Sequence, residues 1–253
     1  MTTALSGKPT FGAGRVFGAA AVTNPTPVRF PVPQSQSIDF KRKVESLFGE
    51  NQLAVAVGAG QMDVTGQIEF GKSHARVYAD LLIGSAGTTG SYLEADKETA
   101  AVPGTGPYTI QTVNHTTWLF DLGVVDVATG NIMSCVAAGS EVAAKAYSVA
   151  AGVYTFAAGD EGVSKQISYG YSNATAGETV TLTNQLQGQT GAFKATHVLP
   201  WGAEQDMFVL NNCISSSGGM SAKSSGFGTS TLEYTAAVDT TGILGVATFA
   251  EAA

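Results

Sequence analysis

Between Gln61 and Phe70 the chain reads QMDVTGQIEF, and the apolar and polar residues alternate. Met62, Val64, Ile68 and Phe70 share one side, and Gln61, Asp63, Thr65, Gln67 and Glu69 share the other. Side chains two apart lie on one face of a strand, so this is a β-strand with one buried face. The polar face carries two carboxylates, two amides and a hydroxyl. Asp63 and Glu69 are separated by about 20 Å along an extended strand, too far for the paired carboxylates of a glycosidase. A solvated strand face and a functional surface both fit the pattern.

The surrounding sequence builds outward from that strand. Ser37 to Phe48 predicts a strand with Ile38, Phe40 and Val44 on one face. Leu53–Val57 predicts another, and Gly58-Ala59-Gly60 a hairpin turn into the alternating segment. Ser73–Gly84 is the best helix: Ser73 as N-cap, the pairs Val77/Leu81 and Tyr78/Leu82 at i, i+4, and Gly84 as a left-handed stop. From Tyr108 the chain returns to short strand-like runs separated by turns, including TIQTV, TWLFDLGVV, QISYGYS, ETVTLTNQLQ, AFKATHVL and STLEYTAAV. Strands do not alternate with helices, so parallel βαβ units are excluded. The class is mainly β, with one flanking α-helix.

Composition narrows the function. Charged residues are 13% of the 253, hydrophobic residues 44%, and 31 are glycine, which suits short strands and turns. A net charge of −7 argues against a nucleic-acid-binding surface of the usual basic kind. The charge is uneven. Residues 1–90 hold eight basic and six acidic side chains, a balance of +2, whereas 91–253 hold five and fourteen, a balance of −9. No apolar run is long enough for a membrane span, and no signal peptide is expected. Cys135 and Cys213 make no metal or disulfide framework and are expected as buried free thiols. His74, His115 and His197 have no metal-ligand spacing, and no GxSxG elbow or phosphate loop is present. No enzyme activity, cofactor, metal or small-molecule ligand is expected. Asn114-His115-Thr116 and Asn173-Ala174-Thr175 are chance matches to a glycosylation pattern.

Residues 1–35 differ from the rest. Pro25, Pro27, Pro31 and Pro33 are four of the eight prolines, and proline cannot donate to a strand ladder. The segment nevertheless carries Phe11, Val16, Phe17, Val28 and Phe30. This predicts an extended arm that lies on another surface, either its own domain or a neighbouring chain.

The residues also carry a family likeness. AGRVFG, then SIDFKRKVESLFGENQLAVAVGAGQMDVTGQIEFGKSHARVYADLLIG, then DLGVVDVATG, YSVAAGVYTFAAGDEGVSKQISYGYS and ETVTLTNQLQGQTGAFKATHVL resemble, in order, the major tail tube protein of tailed bacteriophages. The block from Ser37 to Gly84 is the most specific part. The chain departs from the pattern near its C-terminus, where SSGFGTSTLEYTAAV stands in place of a Pro-containing acidic segment.

The resemblance implies a tail-tube β-sandwich or barrel, with an N-terminal arm over 1–35, a β domain over 36–253 and a β-rich insertion at about 119–172. It implies a homo-oligomer of six-fold rings stacked into a hollow tube, with other phage tail proteins at the tip and terminator. DNA would pass non-specifically down the lumen. The protein would be made in the host bacterial cytoplasm and reside in the virion. On that scheme Gln61, Asp63, Thr65, Gln67 and Glu69 face the lumen. Phe11, Val16, Phe17, Val28 and Phe30 hold a neighbouring subunit or ring. Val77, Tyr78, Leu81 and Leu82 pack the helix on the inner sheet, over Leu53, Val55, Val57 and Val64. The other reading is a phage head-decoration or other virion surface protein. A secreted β-sandwich binding module fits less well, without a signal peptide or an aromatic platform.

Overall fold

The computed structural model describes residues 12–48, 50–184, 191–201 and 204–249. The chain is mainly β, 58% strand and 7% helix, with sheets that include a curled half-barrel. In chain order the strands are β1 (Arg15–Ala20), β2 (Val28–Arg29), β3 (Pro33–Phe48), β4 (Ala54–Phe70), β5 (Thr88–Ala101), β6 (Thr109–Gln111), β7 (Trp118–Asp126), β8 (Ile132–Cys135), β9 (Ala146–Ala150), β10 (Val153–Thr155), β11 (Ser164–Thr179), β12 (Ala192–Trp201), β13 (Glu204–Met220), β14 (Ser230–Ala237) and β15 (Gly245–Thr248).

The chain forms two compact units. The first joins Met1–Gly87 to Val180–Ala253, and the second is Thr88–Thr179. The segment 119–172, expected as an insertion, lies inside this larger second unit. Thr88–Thr179 holds three basic and nine acidic residues, so most of the acidity of the C-terminal two thirds resides there.

The first unit is an eight-stranded antiparallel sheet in the order β2-β1-β12-β13-β14-β4-β3, with β15 also pairing β13. Its core contains Val16, Phe30, Ile68, Phe70, Val77, Leu81, Phe193, Leu232 and Tyr234. The helix Val77–Ile83 covers this core. It is wound wider than the expected α-helix, with Gly84 donating its N–H five residues back to Ala79 and closing the turn at φ 71°. Ser73 does not cap it: its hydroxyl shares a hydrogen bond with Ser230 instead, at 3.1 Å. The helix sits close because β1 presents Gly18 beneath Leu81. A Cβ there would lie 2.4 Å from Leu81 Cδ1.

The second unit is a seven-stranded sheet in the order β5-β11-β7-β8-β9-β10-β6. All its pairs are antiparallel except β8 with β9. Its core gathers Val124, Met133, Tyr147, Tyr154, Phe156, Ile167 and Tyr169. Buried tyrosines turn their hydroxyls onto carboxylates: Tyr147 and Tyr154 donate to Asp121, and Tyr169 donates to Glu98. This satisfies polar tips that burial would otherwise leave unpaired. Both cysteines are free thiols, but only Cys213 is buried; Cys135, the last residue of short β8, is exposed, against expectation, although it shares a strand face with the buried Met133.

Candidate functional site

The β3–β4 hairpin is the element from which a candidate surface can be built. Its root and its tip differ. At the root, Val64, Ile68 and Phe70 are buried, and Gln36 and Ile38 on β3 are half-buried. From Asp39 to Asp63 every described residue is exposed. The expected turn at Gly58-Ala59-Gly60 is strand. Arg42 pairs with Met62 but Val44 with Ala59, so Lys43 faces both Gly60 and Gln61 across a bulge. The chain reverses only between Phe48 and Ala54. The two strands therefore run about 27 Å past Phe40.

Register fixes the two faces of this ribbon. The bulge brings Val57 and Ala59 onto the face of Met62 and Val64, because Val57 opposes Ser46 and Ala59 opposes Val44. Phe40, Val44, Phe48, Val57 and Met62 thus extend the core-bearing face beyond the core, with Arg42 and Ser46 between them on β3. Leu53 (82% exposed), Val55 (72%) and Val57 (65%) do not pack under the helix as expected; they lie past its reach, and only Val64 of that set is buried.

The opposite face carries the alternating polar residues. Gln61, Asp63 and Gln67 are exposed, and Thr65 and Glu69 half-buried. Neighbouring strands extend these positions into rows: Ser35, Glu69 and Thr231; Ser37, Gln67 and Glu233; Asp39, Thr65 and Thr235; Lys41 and Asp63. Ser35 donates its hydroxyl to Glu69 Oε2 at 3.3 Å. Asp39, Asp63, Glu69 and Glu233 thus stand on one sheet face. Lys41 opposite Asp63 is a cation that β4 alone does not reveal.

The flanks of this face were invisible in the alternation of β4. β14 supplies Thr231, Glu233 and Thr235 with its own period-two signal, Leu232 and Tyr234 pointing inward. It comes into register with β4 only through a strand order that ignores chain order.

The N-terminal segment is placed differently from expectation. Val16, Val28 and Phe30 are buried in the core of their own unit, so they are not available as contacts to another subunit. β1 pairs β12 along Arg15–Ala20 and β2 closes on β1, so the extended arm is an edge of its own sheet. Phe17 points to the other face and is half-buried, in a shallow cleft with Pro27, Lys194 and Thr196. Phe11 lies outside the described residues. Val77 and Leu81 are fully buried, and Tyr78 and Leu82 pack partly buried against the same core.

A buried polar chain ties the hairpin root to this segment. His197 on β12 hydrogen-bonds through Nδ1 to Gln36 Oε1 and through Nε2 to the Tyr234 hydroxyl, both at 2.6 Å. Gln36 Nε2 donates to the carbonyl of Ala13 at 2.7 Å. Burial lowers the His197 pKa to about 4, so the ring is neutral and one nitrogen donates while the other accepts. Beside it Ile38, Phe40, Leu199 and Phe208 line an apolar cavity of about 200 Å³.

No protein-family model and no curated protein matches the chain. Among the described residues no cluster of three or more His, Cys, Asp or Glu is arranged to hold a metal ion. Among them no helix is long and apolar enough to cross a membrane. The feature left to interpret is the amphipathic ribbon: a largely apolar face that the described residues leave exposed on one side, and an acid-rich polar sheet on the other.

Proposed function

We propose that this chain is a structural virion protein that polymerises, as stacked six-fold rings, into the hollow tail tube of a tailed bacteriophage. The tube is the conduit for DNA ejection. The ring number and the phage setting come from the sequence resemblance. The observation that carries self-assembly is the β3–β4 ribbon, whose apolar side chains continue the core face and are left exposed by the described residues.

Burial of a large apolar side chain is worth about 1.5–3 kcal/mol, so covering several of them is a strong drive to associate. β3 is also the edge of its sheet, 16 residues long, with no further strand beside it among the described residues. Long exposed edges are pairing templates unless they are used or capped, and the Lys41-Arg42-Lys43 run blunts only the middle of this one, leaving Phe48 beyond it. A patch that docks on a different patch of the next copy closes into a ring when the rotation fits.

The acid-rich face supports the lumen assignment. Duplex DNA carries one phosphate charge per about 1.7 Å of axis, and a basic wall would hold it. A wall of Asp39, Glu45, Asp63, Glu69 and Glu233, with hydroxyls and amides between, outweighs Lys41 and Lys43 on the same face, so it disfavours a grip on phosphate and leaves the duplex free to move. The partners are copies of this chain, with tail proteins at the tip and terminator.

Negative-stain electron microscopy of the concentrated protein tests the reading. Hollow tubes or stacked rings are expected, and Phe48→Ser with Val57→Ser should leave folded single subunits. Single wild-type subunits that ignore tail-tip complexes but bind capsids would overturn it in favour of head decoration.

A further inference from the structure

Inside the second unit lies a group of charges that the assembly reading does not use. Lys165 on β11 is fully buried, and so are Asp126 at the end of β7 and Asp160 (0, 1 and 1% exposed). Lys165 and Asp126 stand directly opposite each other in the antiparallel β7–β11 register. Lys165 Nζ donates to Asp126 Oδ2 and, at 2.7 Å, to Asp160 Oδ1. The Phe156 ring lies 5.8 Å from the same nitrogen.

The two carboxylates are not equivalent. Asp126 Oδ1 accepts from the Thr129 N–H at 2.7 Å and the Thr129 hydroxyl at 2.8 Å. Asp160 Oδ1 accepts from the Ala144 N–H at 2.8 Å, while Asp160 Oδ2 is buried without any partner. One ammonium and two carboxylates leave this buried site with a net negative charge, which is costly. The arrangement has an amine hydrogen-bonded to a carboxyl group, two donors on that group's other oxygen, where charge would develop, and a second carboxylate with an unpartnered oxygen to move protons. Those are the parts of an acyl transfer.

We propose that Lys165 and Asp126 condense to an intramolecular isopeptide bond, with Asp160 as the proton carrier. A proton passes from Nζ to Asp126 Oδ2, giving a neutral amine and a neutral carboxyl. Nζ attacks Cγ, and the N–C bond forms while Thr129 holds the negative Oδ1. Asp160 takes one proton from the nitrogen and passes it to the Oδ2 hydroxyl. The C–O bond breaks, water leaves, and Asp160 returns to its starting state. Three buried charges become one, and no oxidant or co-reactant is consumed.

Fixed geometry can supply about 7–11 kcal/mol of the barrier by removing the search for the reacting pose. Burial raises the Asp126 pKa, but the hydrogen bonds from Lys165 and Thr129 outweigh it and hold the carboxyl below its usual range. The reactive neutral pair is therefore a minor form, and the bond accumulates slowly after folding.

The test is the intact mass of the full-length wild-type chain, held folded and then denatured. We expect a mass lower than that of the sequence by one water, and a tryptic digest in which the peptides bearing Asp126 and Lys165 are joined. Asp126→Asn is expected to lose ammonia in place of water, and Asp160→Asn to stay at its full sequence mass. Wild-type protein at full mass overturns the proposal without recourse to any variant. So does loss of water without joined peptides, the mark of a succinimide, and so does a bond from Lys165 to Asp160.

Discussion

The root and the tip of the β3–β4 hairpin are made of similar residues and live in opposite environments. Phe70 and Ile68 at the root are fully buried, and Phe70 meets Phe30 edge to face at 5.3 Å. Phe48 and Val57 at the tip lie on the same side of the ribbon and are 61% and 65% exposed. The root is stabilised within the subunit by the helix and by β12–β14. Among the described residues the tip has no such cover, and its apolar side chains are left exposed. Within one pair of strands, residues that build the core are thus told apart from residues left on the surface, which the proposed assembly would cover.

The largest effect should separate two phenylalanines. Phe70→Ala removes a buried ring and is expected to cost about 3–5 kcal/mol of subunit stability. Phe48→Ala removes an exposed one and should change stability by no more than about 0.5 kcal/mol while weakening assembly. Denaturant unfolding below the assembly concentration measures the first quantity, and sedimentation of the concentrated protein measures the second. Equal costs in the isolated subunit would mean that the tip folds back onto its own chain, and the contrast would fail.

A second contrast is pH. His197 has an ordinary pKa of 6.5 and is held at about 4 in the fold. Between those values the unfolded chain binds a proton that the native chain does not. Stability is therefore full above pH 6.5 and falls as the pH drops toward 4, by roughly 3 kcal/mol for a shift of this size. Protonation would break the links to Gln36 and Tyr234 and loosen the root. The tip has no histidine between Asp39 and Asp63 and should show no such step. Comparing the pH dependence of wild type and His197→Gln isolates the contribution. Parallel curves would show that the buried ring is not what titrates.

Parts of this contrast are legible in the sequence. Alternation from Val64 to Phe70 marks the buried face of β4 because period two is unambiguous there, and Gly84 marks the end of the helix. The tip is not legible, because Gly58-Ala59-Gly60 carries the composition of a turn and is used as a bulged strand. β5 is not legible for a related reason: of TTGSYLEADKETAA only the small Ala95 and Ala100 pack against the core, since the strand is the edge of its sheet. Val16, Val28 and Phe30 teach a different lesson. Their pattern says that they are covered, but periodicity cannot say whose surface covers them. The polar site was half visible for the same reason: β4 displays its own residues, while Glu233 and Asp39 join the face only through pairing.

The smallest effect is the sharpest, because it should change sign along a single strand. At the root, a Cβ added at Gly66 would stand 2.2 Å from the Tyr234 ring and hydroxyl. That ring cannot easily yield, since it is hydrogen-bonded to His197 and packed edge-on against Phe193 at 5.6 Å. Gly66→Ala should therefore destabilise by about 1–3 kcal/mol. Toward the tip, a Cβ at Gly58 would find its nearest neighbour, the Glu45 carbonyl, 4.0 Å away. Its backbone is not in the left-handed region, so alanine fits without strain. Gly58→Ala should stabilise by about 0.4–1 kcal/mol, by restricting the unfolded chain. Unfolding midpoints of the two variants, below the assembly concentration, give the answer. If both lose stability, the tip strand is packed against its own subunit, and an apolar stripe waiting for a second copy is the wrong account of it.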